Sequence, residues 1–229
     1  MGNYFFRERR SYLQFILICF VLLSGCATER STVIEPSRVE RFGTRYHGIK
    51  TTLVVGKFNN NTNYRQGIFS SGIDQLGNQA KTILKTHLQQ TNRFKLVDRE
   101  NLSEIGQEAK FRGSNQNISG ARYAVTGSIA EFGRKETGDR TLFGLFGRGK
   151  EQAAYSKVML HIVDVDTSEV IYSTQGAGEY SLSHREILGT GGTAGYDATL
   201  NGKVLNLSIT EAVNNIVRDL ERGILQVKE

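Results

Sequence analysis

Apolar residues follow three rhythms along this 229-residue chain. From Tyr12 to Leu23 they are nearly continuous, and that stretch stands apart from everything after it. Further on they come either in short β-branched runs or at helical spacing. Lys50 to Phe58 reads as a buried strand, stopped by the turn-forming cluster Asn59-Asn60-Asn61-Thr62-Asn63. Ile73, Leu76, Ala80, Ile83, Leu84 and Leu88 then recur every three or four residues, which predicts an amphipathic helix with Lys81 and Lys85 on its polar side. Phe94 to Val97 predicts a short strand, and Leu102, Ile105 and Ala109 predict one face of a second helix.

Strands are predicted at Tyr123–Phe132, Tyr155–Val165 and Val170–Thr174. The polar turn Asp166-Thr167-Ser168-Glu169 joins the last two as an antiparallel hairpin. Leu200, Val204, Leu207, Ala212, Val213, Ile216, Val217 and Leu220 predict a final helix, with Asn201 or Asp197 as its N-cap. The order βαβαβββα implies an α/β domain over 49–229, a mixed β-sheet with flanking helices.

Three segments exceed what a compact domain needs. Residues 133–152 and 179–199 are long glycine-rich insertions, and the connector at 59–72 carries Tyr64, Ile68 and Phe69 among glycines and serines. Connections longer than about 12–15 residues are usually functional or disordered. Strands facing lipid must alternate apolar and polar positions. In the first insertion neither alternate set is apolar, and Leu142, Phe143, Leu145 and Phe146 cluster at its tip. The second offers Tyr180 and Leu182 on one face, followed by His184 and Glu186.

The isolated apolar run explains itself once its flanks are included. Arg7, Arg9 and Arg10 precede it, Leu23-Ser24-Gly25 close it, and Cys26 follows. A basic head, a short apolar stretch and small residues make a secretory signal peptide over 1–25. The run falls short of the roughly 20 residues of a spanning helix. Small residues followed directly by cysteine resemble the bacterial lipobox, in which Cys26 is acylated and becomes the mature N-terminus. Several acyl chains hold a body on a bilayer far more firmly than one. The next residue, Ala27, favours the outer membrane by resemblance to sorted lipoproteins. Residues 26–48 then form a lipidated tether, with Val33, Ile34, Val39 and Phe42 free to dock.

Composition removes several function classes. The leader holds three Arg and one Glu, +2 of the formal +6, so the mature part is near +4. Its cations are spread out and do not cluster with aromatics, which argues against nucleic acid. Cys19 lies in the leader and Cys26 at the anchor, so the mature chain forms no internal disulfide and offers no thiolate pair for zinc. His47, His87, His161 and His184 have no acid or nucleophile at a useful spacing. The run Gly189 to Gly195 lacks the strand, helix and acidic residue of a dinucleotide site. Neither a catalytic centre, a metal nor a cofactor is expected.

Several stretches together resemble one family. Val97-Asp98-Arg99-Glu100-Asn101-Leu102 with Ile105 and Glu108, then Val125-Thr126-Gly127-Ser128-Ile129, then Val163-Asp164-Val165 with Glu169-Val170-Ile171, are similar to the core of the CsgG/HfaB family. So is the run from Gly195 to Val204 before the last helix. The resemblance covers nearly all of the mature chain. It implies an outer-membrane lipoprotein on the periplasmic face whose α/β domains assemble into a homo-oligomeric ring. In its curli-secreting members each subunit adds two β-hairpins to a shared barrel, and unfolded fibre subunits pass without ATP. By that resemblance 133–152 and 179–199 would be the hairpins, and the loop with Tyr64 and Phe69 the constriction. Phe69 has an obvious counterpart in the family's narrow loop. Related lipoproteins of similar fold instead touch periplasmic partners such as a cell-wall synthase, which gives an alternative reading as a binding scaffold.

Overall fold

The computed structural model describes residues 38–64, 74–140, 148–186 and 199–228, and for 136–140, 148–151 and 182–186 the backbone alone. Cys26, Phe69, Asp197 and the run Gly189–Gly195 lie outside the described residues. Five strands appear in the expected order: β1 (Thr52–Asn60), β2 (Lys95–Val97), β3 (Tyr123–Arg140), β4 (Arg148–Asp164) and β5 (Val170–Glu186). Three helices accompany them, α1 (Gln75–Gln90), α2 (Leu102–Phe111) and α3 (Leu200–Glu221). The strands form one mixed sheet in the order β2-β1-β3-β4-β5. β1 runs parallel to β2 and β3, while β3, β4 and β5 are antiparallel.

Strand periodicity decides what is buried. On β1 and β4 alternate residues, Leu53, Val55, Val158, Leu160 and Ile162, are almost fully buried. They meet Leu84 and Leu88 of α1 and Leu205, Ile209 and Ile216 of α3 in a single core. The other sheet face stays open, and Tyr155 and Met159 there are 47% and 39% exposed. At Gly176 an added Cβ would lie 2.1 Å from Ser208 O and 2.5 Å from Ala212 N, so glycine lets the backbones of β5 and α3 touch. Just beside it Ser156 Oγ and Ser208 Oγ are 3.1 Å apart, a buried hydroxyl pair joining β4 to α3.

The described parts of the two insertions are continuations of strands. β3 pairs with β4 without interruption from Phe132↔Ser156 to Arg140↔Arg148, and β4 with β5 out to Arg148↔Glu186. The expected strand ends at Phe132 and Thr174 are therefore corrected to Arg140 and Glu186. The sequence hides this because hydrophobic alternation stops where the covering helices stop, whereas backbone pairing does not. From Phe132, the last buried residue of β3 among those whose side chains are described, the three strands extend eight residues as a ribbon about 27 Å long.

Two further expectations need correction. Asn201 is not an N-cap but a buried residue of the first turn of α3, which Thr199 precedes as N-cap. On α2 the side turned inward carries half-buried Leu102, Gly106 and Ala109, while Ile105 is 43% exposed.

Candidate functional site: the loop and ribbon root

The connector at 59–72, the ribbon and the start of α3 are all rooted at one end of the sheet. Asp74, N-cap of α1, accepts a hydrogen bond from the Gly77 backbone N–H at 2.7 Å through Oδ1. Its Oδ2 accepts from the backbone N–H of Asn60, the last residue of β1, also at 2.7 Å. One carboxylate thus holds both ends of the connector together. The α1 N-terminus favours that negative charge, because its first N–H groups have no helical partner.

The first four residues of the connector are equally fixed. Asn60 Oδ1 accepts from Thr62 N–H at 3.0 Å and from Thr62 Oγ1 at 2.7 Å, and Asn60 Nδ2 donates to Tyr64 O at 3.0 Å. The asparagine-rich stop predicted from sequence is therefore a bonded corner. Tyr64 then lays its ring against Phe132, with centroids 4.6 Å apart and planes at 43°. Its hydroxyl is 3.5 Å from Asn201 Oδ1 and 3.4 Å from Asn201 Nδ2. Tyr64 is a partly buried anchor linking the connector to β3 and α3 at once. Family resemblance offered it, with Phe69, as part of a constriction loop; these contacts left no local signal, because its partners lie 68 and 137 residues away.

Beyond Phe132 the ribbon root is tied to the body by polar contacts. Arg134 donates to Gln152 Oε1 across β3 and β4 at 3.3 Å. Lys203, in the first turn of α3, sits 5.0 Å from the centroid of the Tyr180 ring on β5, a cation–π contact. The register sets Gly133, Lys135, Thr137 and Asp139 on one face of β3, and Arg134, Glu136, Gly138 and Arg140 on the other. Neither set is apolar. The site can therefore hold a connector and a polar arm at one pole of the domain, and its described residues bring no nucleophile–base pair together.

His87 and His161 make structural contacts. His87 is 4% exposed, with Nε2 2.7 Å from Asn206 Oδ1 and 3.1 Å from Thr210 Oγ1, linking α1 to α3. His161 Nδ1 lies 2.8 Å from Ser173 Oγ on the neighbouring strand.

At the far end of α3 the tether residues dock as a strap. Val39 is 3% exposed, Glu40 N–H donates to Asn214 Oδ1 at 3.0 Å, and Gly43 N–H donates to Gln90 O at 3.1 Å. Arg93, buried to 4%, meets Glu221 at 2.6 Å, and Arg41 meets the same carboxylate at 3.2 Å. Phe42 stays 42% exposed under the Arg38 guanidinium, 4.5 Å from its ring centroid.

The profile of the family described as curli production assembly/transport component CsgG matches residues 45–228. The chain belongs to the CsgG family. A Neisseria meningitidis serogroup B protein named as a lipoprotein, NMB1126/NMB1164, is 57% identical over 206 residues, which cover 90% of this chain and 92% of that one. Among solved structures, the PelC dodecamer from Paraburkholderia phytofirmans is 13% identical, covering 79% of this chain and 93% of PelC, with a TM-score of 0.34. Protein XCC0632 from Xanthomonas campestris is 8% identical over 84% of this chain and 94% of its own, with a TM-score of 0.41. At such scores neither speaks to what this chain does.

Within the CsgG domain, the stretch Val97–Leu102 that carried the resemblance is a structural turn between β2 and α2. Asp98 Oδ1 accepts from Glu100 N–H at 2.9 Å, and its Oδ2 from Asn101 Nδ2 at 2.6 Å. Lys85 approaches both Asp98 and Glu100, and Lys81 pairs with Glu100 at 2.5 Å. The Glu100 N–H first, then the Asn101 amide and the Lys85 ammonium, hold the Asp98 carboxyl down at about 2. Arg99 reaches across to donate to Ser119 O at 2.6 Å. The motif fixes how α2 leaves the sheet.

Proposed function

We propose that this chain is a lipid-anchored, periplasm-facing subunit of an oligomeric outer-membrane assembly that exports or assembles curli-like adhesive fibres. Acylated Cys26 holds each copy on the membrane, and copies gather into a homo-oligomeric ring. Unfolded fibre subunits pass through without ATP or any bond-making chemistry, so the chain acts as a conduit and not as an enzyme. Family membership supports this reading, as does the lipoprotein name of its meningococcal relative. The single observation that carries it is the shared root of connector and ribbon at the Asn60–Asp74 and Tyr64–Phe132 contacts. A segment that narrows a passage must have both ends held, and the Asp74 carboxylate joins Asn60 before the connector to the first turn of α1 after it.

The test is purification of the lipidated chain in detergent followed by reconstitution. A large ring that opens channels in a planar bilayer supports the reading, and a monomer that leaves the bilayer silent overturns it. The anchor is checked separately. Cys26→Ala should accumulate as soluble or inner-membrane precursor, and its normal recovery in outer-membrane fractions would count against acylation.

One observation favours a second reading. The ribbon is polar on both faces, whereas a lipid-facing strand needs one apolar face. A non-pore lipoprotein that uses the ribbon as an arm to engage a periplasmic partner, such as a cell-wall synthase, fits that polarity. The two readings separate on conductance, since an arm-bearing scaffold opens no channel.

A further inference from the structure

The strap is fastened to the body without being part of its framework. Every described strand and helix begins at Thr52 or later, and of residues 38–48 only Val39 is buried, with Tyr46 half-buried. The remaining ties are polar. Beside the bonds from Glu40 and Gly43, Asn92 Nδ2 donates to Thr44 O at 3.3 Å. Arg93 Nη1 donates to the same carbonyl at 3.2 Å and to Thr44 Oγ1 at 2.6 Å. The Arg93 guanidinium also lies 5.2 Å from the centroid of the Tyr46 ring.

Arg93 grips the strap from the body's side. Its Nε and Nη2 donate to Glu221 Oε1 at 3.1 and 2.6 Å, and Nη1 also donates to Thr91 O at 2.6 Å. Those three bonds lie within the body and remain when the strap leaves, so opening leaves no buried charge without its counter-ion. The groups that lose partners, on Asn214, Gln90 and Thr44, lie under or in the strap itself, and its departure opens them to water. Release therefore exposes one valine and part of a tyrosine and breaks a few hydrogen bonds. Such an opening belongs to the low end of local unfolding, far below loss of the core.

Chain length gives that opening a consequence. Val39 is the thirteenth residue after Cys26, and Thr51, whose Oγ1 donates to Lys228 O at 3.0 Å, is the twenty-fifth. At about 3.6 Å per extended residue, a leash that ends at Val39 reaches at most about 47 Å, and one that ends at Thr51 about 90 Å. We propose that the strap is a latch on the membrane leash. Docked, it keeps the body within the shorter reach of its lipid; released, it lets the body range nearly twice as far with sheet and helices intact. Arg93 is the positioning residue of this latch, and Gly43 is its turn. Gly43 has a φ of 62°, and a Cβ added there would meet nothing within 4 Å. A branched side chain at that position strains the docked turn without touching the body. The latch rests on the acylation of Cys26 in the proposed function, and it serves a conduit or a scaffold alike.

The test is force spectroscopy on the full lipidated chain in a supported bilayer, pulled through a bead on the thiol of Glu131→Cys, an exposed position on β3. Acylation leaves Cys26 unable to take the bead. Before the body unfolds, the otherwise unaltered chain should lengthen once by no more than about 43 Å, the twelve residues from Val39 to Thr51 drawn out. Gly43→Val should have the longer leash from the outset, showing that step at least about tenfold less often, with the later unfolding length unchanged. Gly43→Asn should keep the step, because asparagine tolerates that backbone region. Thr44→Val removes the Oγ1 acceptor of Arg93 and should release at lower force. A strap that comes away only as the body unfolds, or a Gly43→Val trace with the step undiminished, would overturn the latch. A Cys26 without acyl chains would overturn the anchor and with it the leash. The same step, read between thiol handles on that Cys26 and Glu131→Cys, would then show that the strap still opens, which tells the two failures apart.

Discussion

The same three strands behave differently on either side of Phe132. Below it, β3, β4 and β5 alternate apolar and polar residues, carry α3 on one face, and use Gly176 to bring helix and strand backbones together. Above it the hydrogen-bonded ladder continues to Arg140 and Glu186, yet neither face is apolar. The lower part is held mainly by burial, at roughly 25 cal/mol per Å² of apolar surface. The upper part is held mainly by backbone pairing, with the Arg134–Gln152 and Lys203–Tyr180 contacts at its root, which gives shape but little net stability. Body and arm can therefore be altered independently, as an element that reaches away from a stable scaffold requires.

The contrast is broken most severely in the body. Gly176→Val would force a side chain into the Ser208 carbonyl and should cost about 4 kcal/mol, near the upper end for point substitutions, as read by urea unfolding. Leu205→Ala removes a fully buried side chain under the sheet and should cost about 3 kcal/mol in the same assay. At the boundary, Tyr64→Ala should cost only about 1 kcal/mol. Its signature is faster amide exchange at Asn60–Tyr64 with the core amides unchanged. In the arm, replacing 136–152 by Asn-Gly joins the register partners Lys135 and Ala153 through a tight turn. Body stability should then shift by less than about 1 kcal/mol; a larger loss would mean that the arm supports the body.

The smallest effect is electrostatic. The Asp98 carboxyl sits at about 2, below its ordinary value of 3.8. Its contribution is present above about pH 4 and is lost as pH falls toward 2. An acid titration followed by NMR should show the Val97–Leu102 turn loosening in that window, with the core signals unmoved. At the other extreme, burial and then the bond to Asp219 push the Tyr172 phenol up to about 12. The neutral phenol stabilises the fold below pH 10, and that contribution disappears between about 10 and 12.

Most of the body was legible in the sequence, because period-2 and period-3.6 patterns report burial directly. The spacings from Leu76 to Leu88 and from Leu200 to Leu220 correspond to α1 and α3. The ribbon was not legible, since polar strands paired mainly through backbone leave no hydrophobic rhythm. α2 was half legible: its residues predict a helix, but nothing local shows that Ile105 and Phe111 find no partner in their own domain. Of the site, the Asn59–Asn63 turn could be read, whereas the Tyr64–Phe132 and Asp74–Asn60 contacts could not. Phe69 lies outside the described residues and stands on family resemblance.

Single-channel recording from planar bilayers holding the lipidated wild type and Phe69→Gly tests the conduit most directly. Discrete openings whose unit conductance rises in Phe69→Gly are predicted, because removing an aromatic from each copy widens the narrowest ring. Bilayers that stay silent for both proteins, with an intact oligomer confirmed by mass photometry, would contradict it.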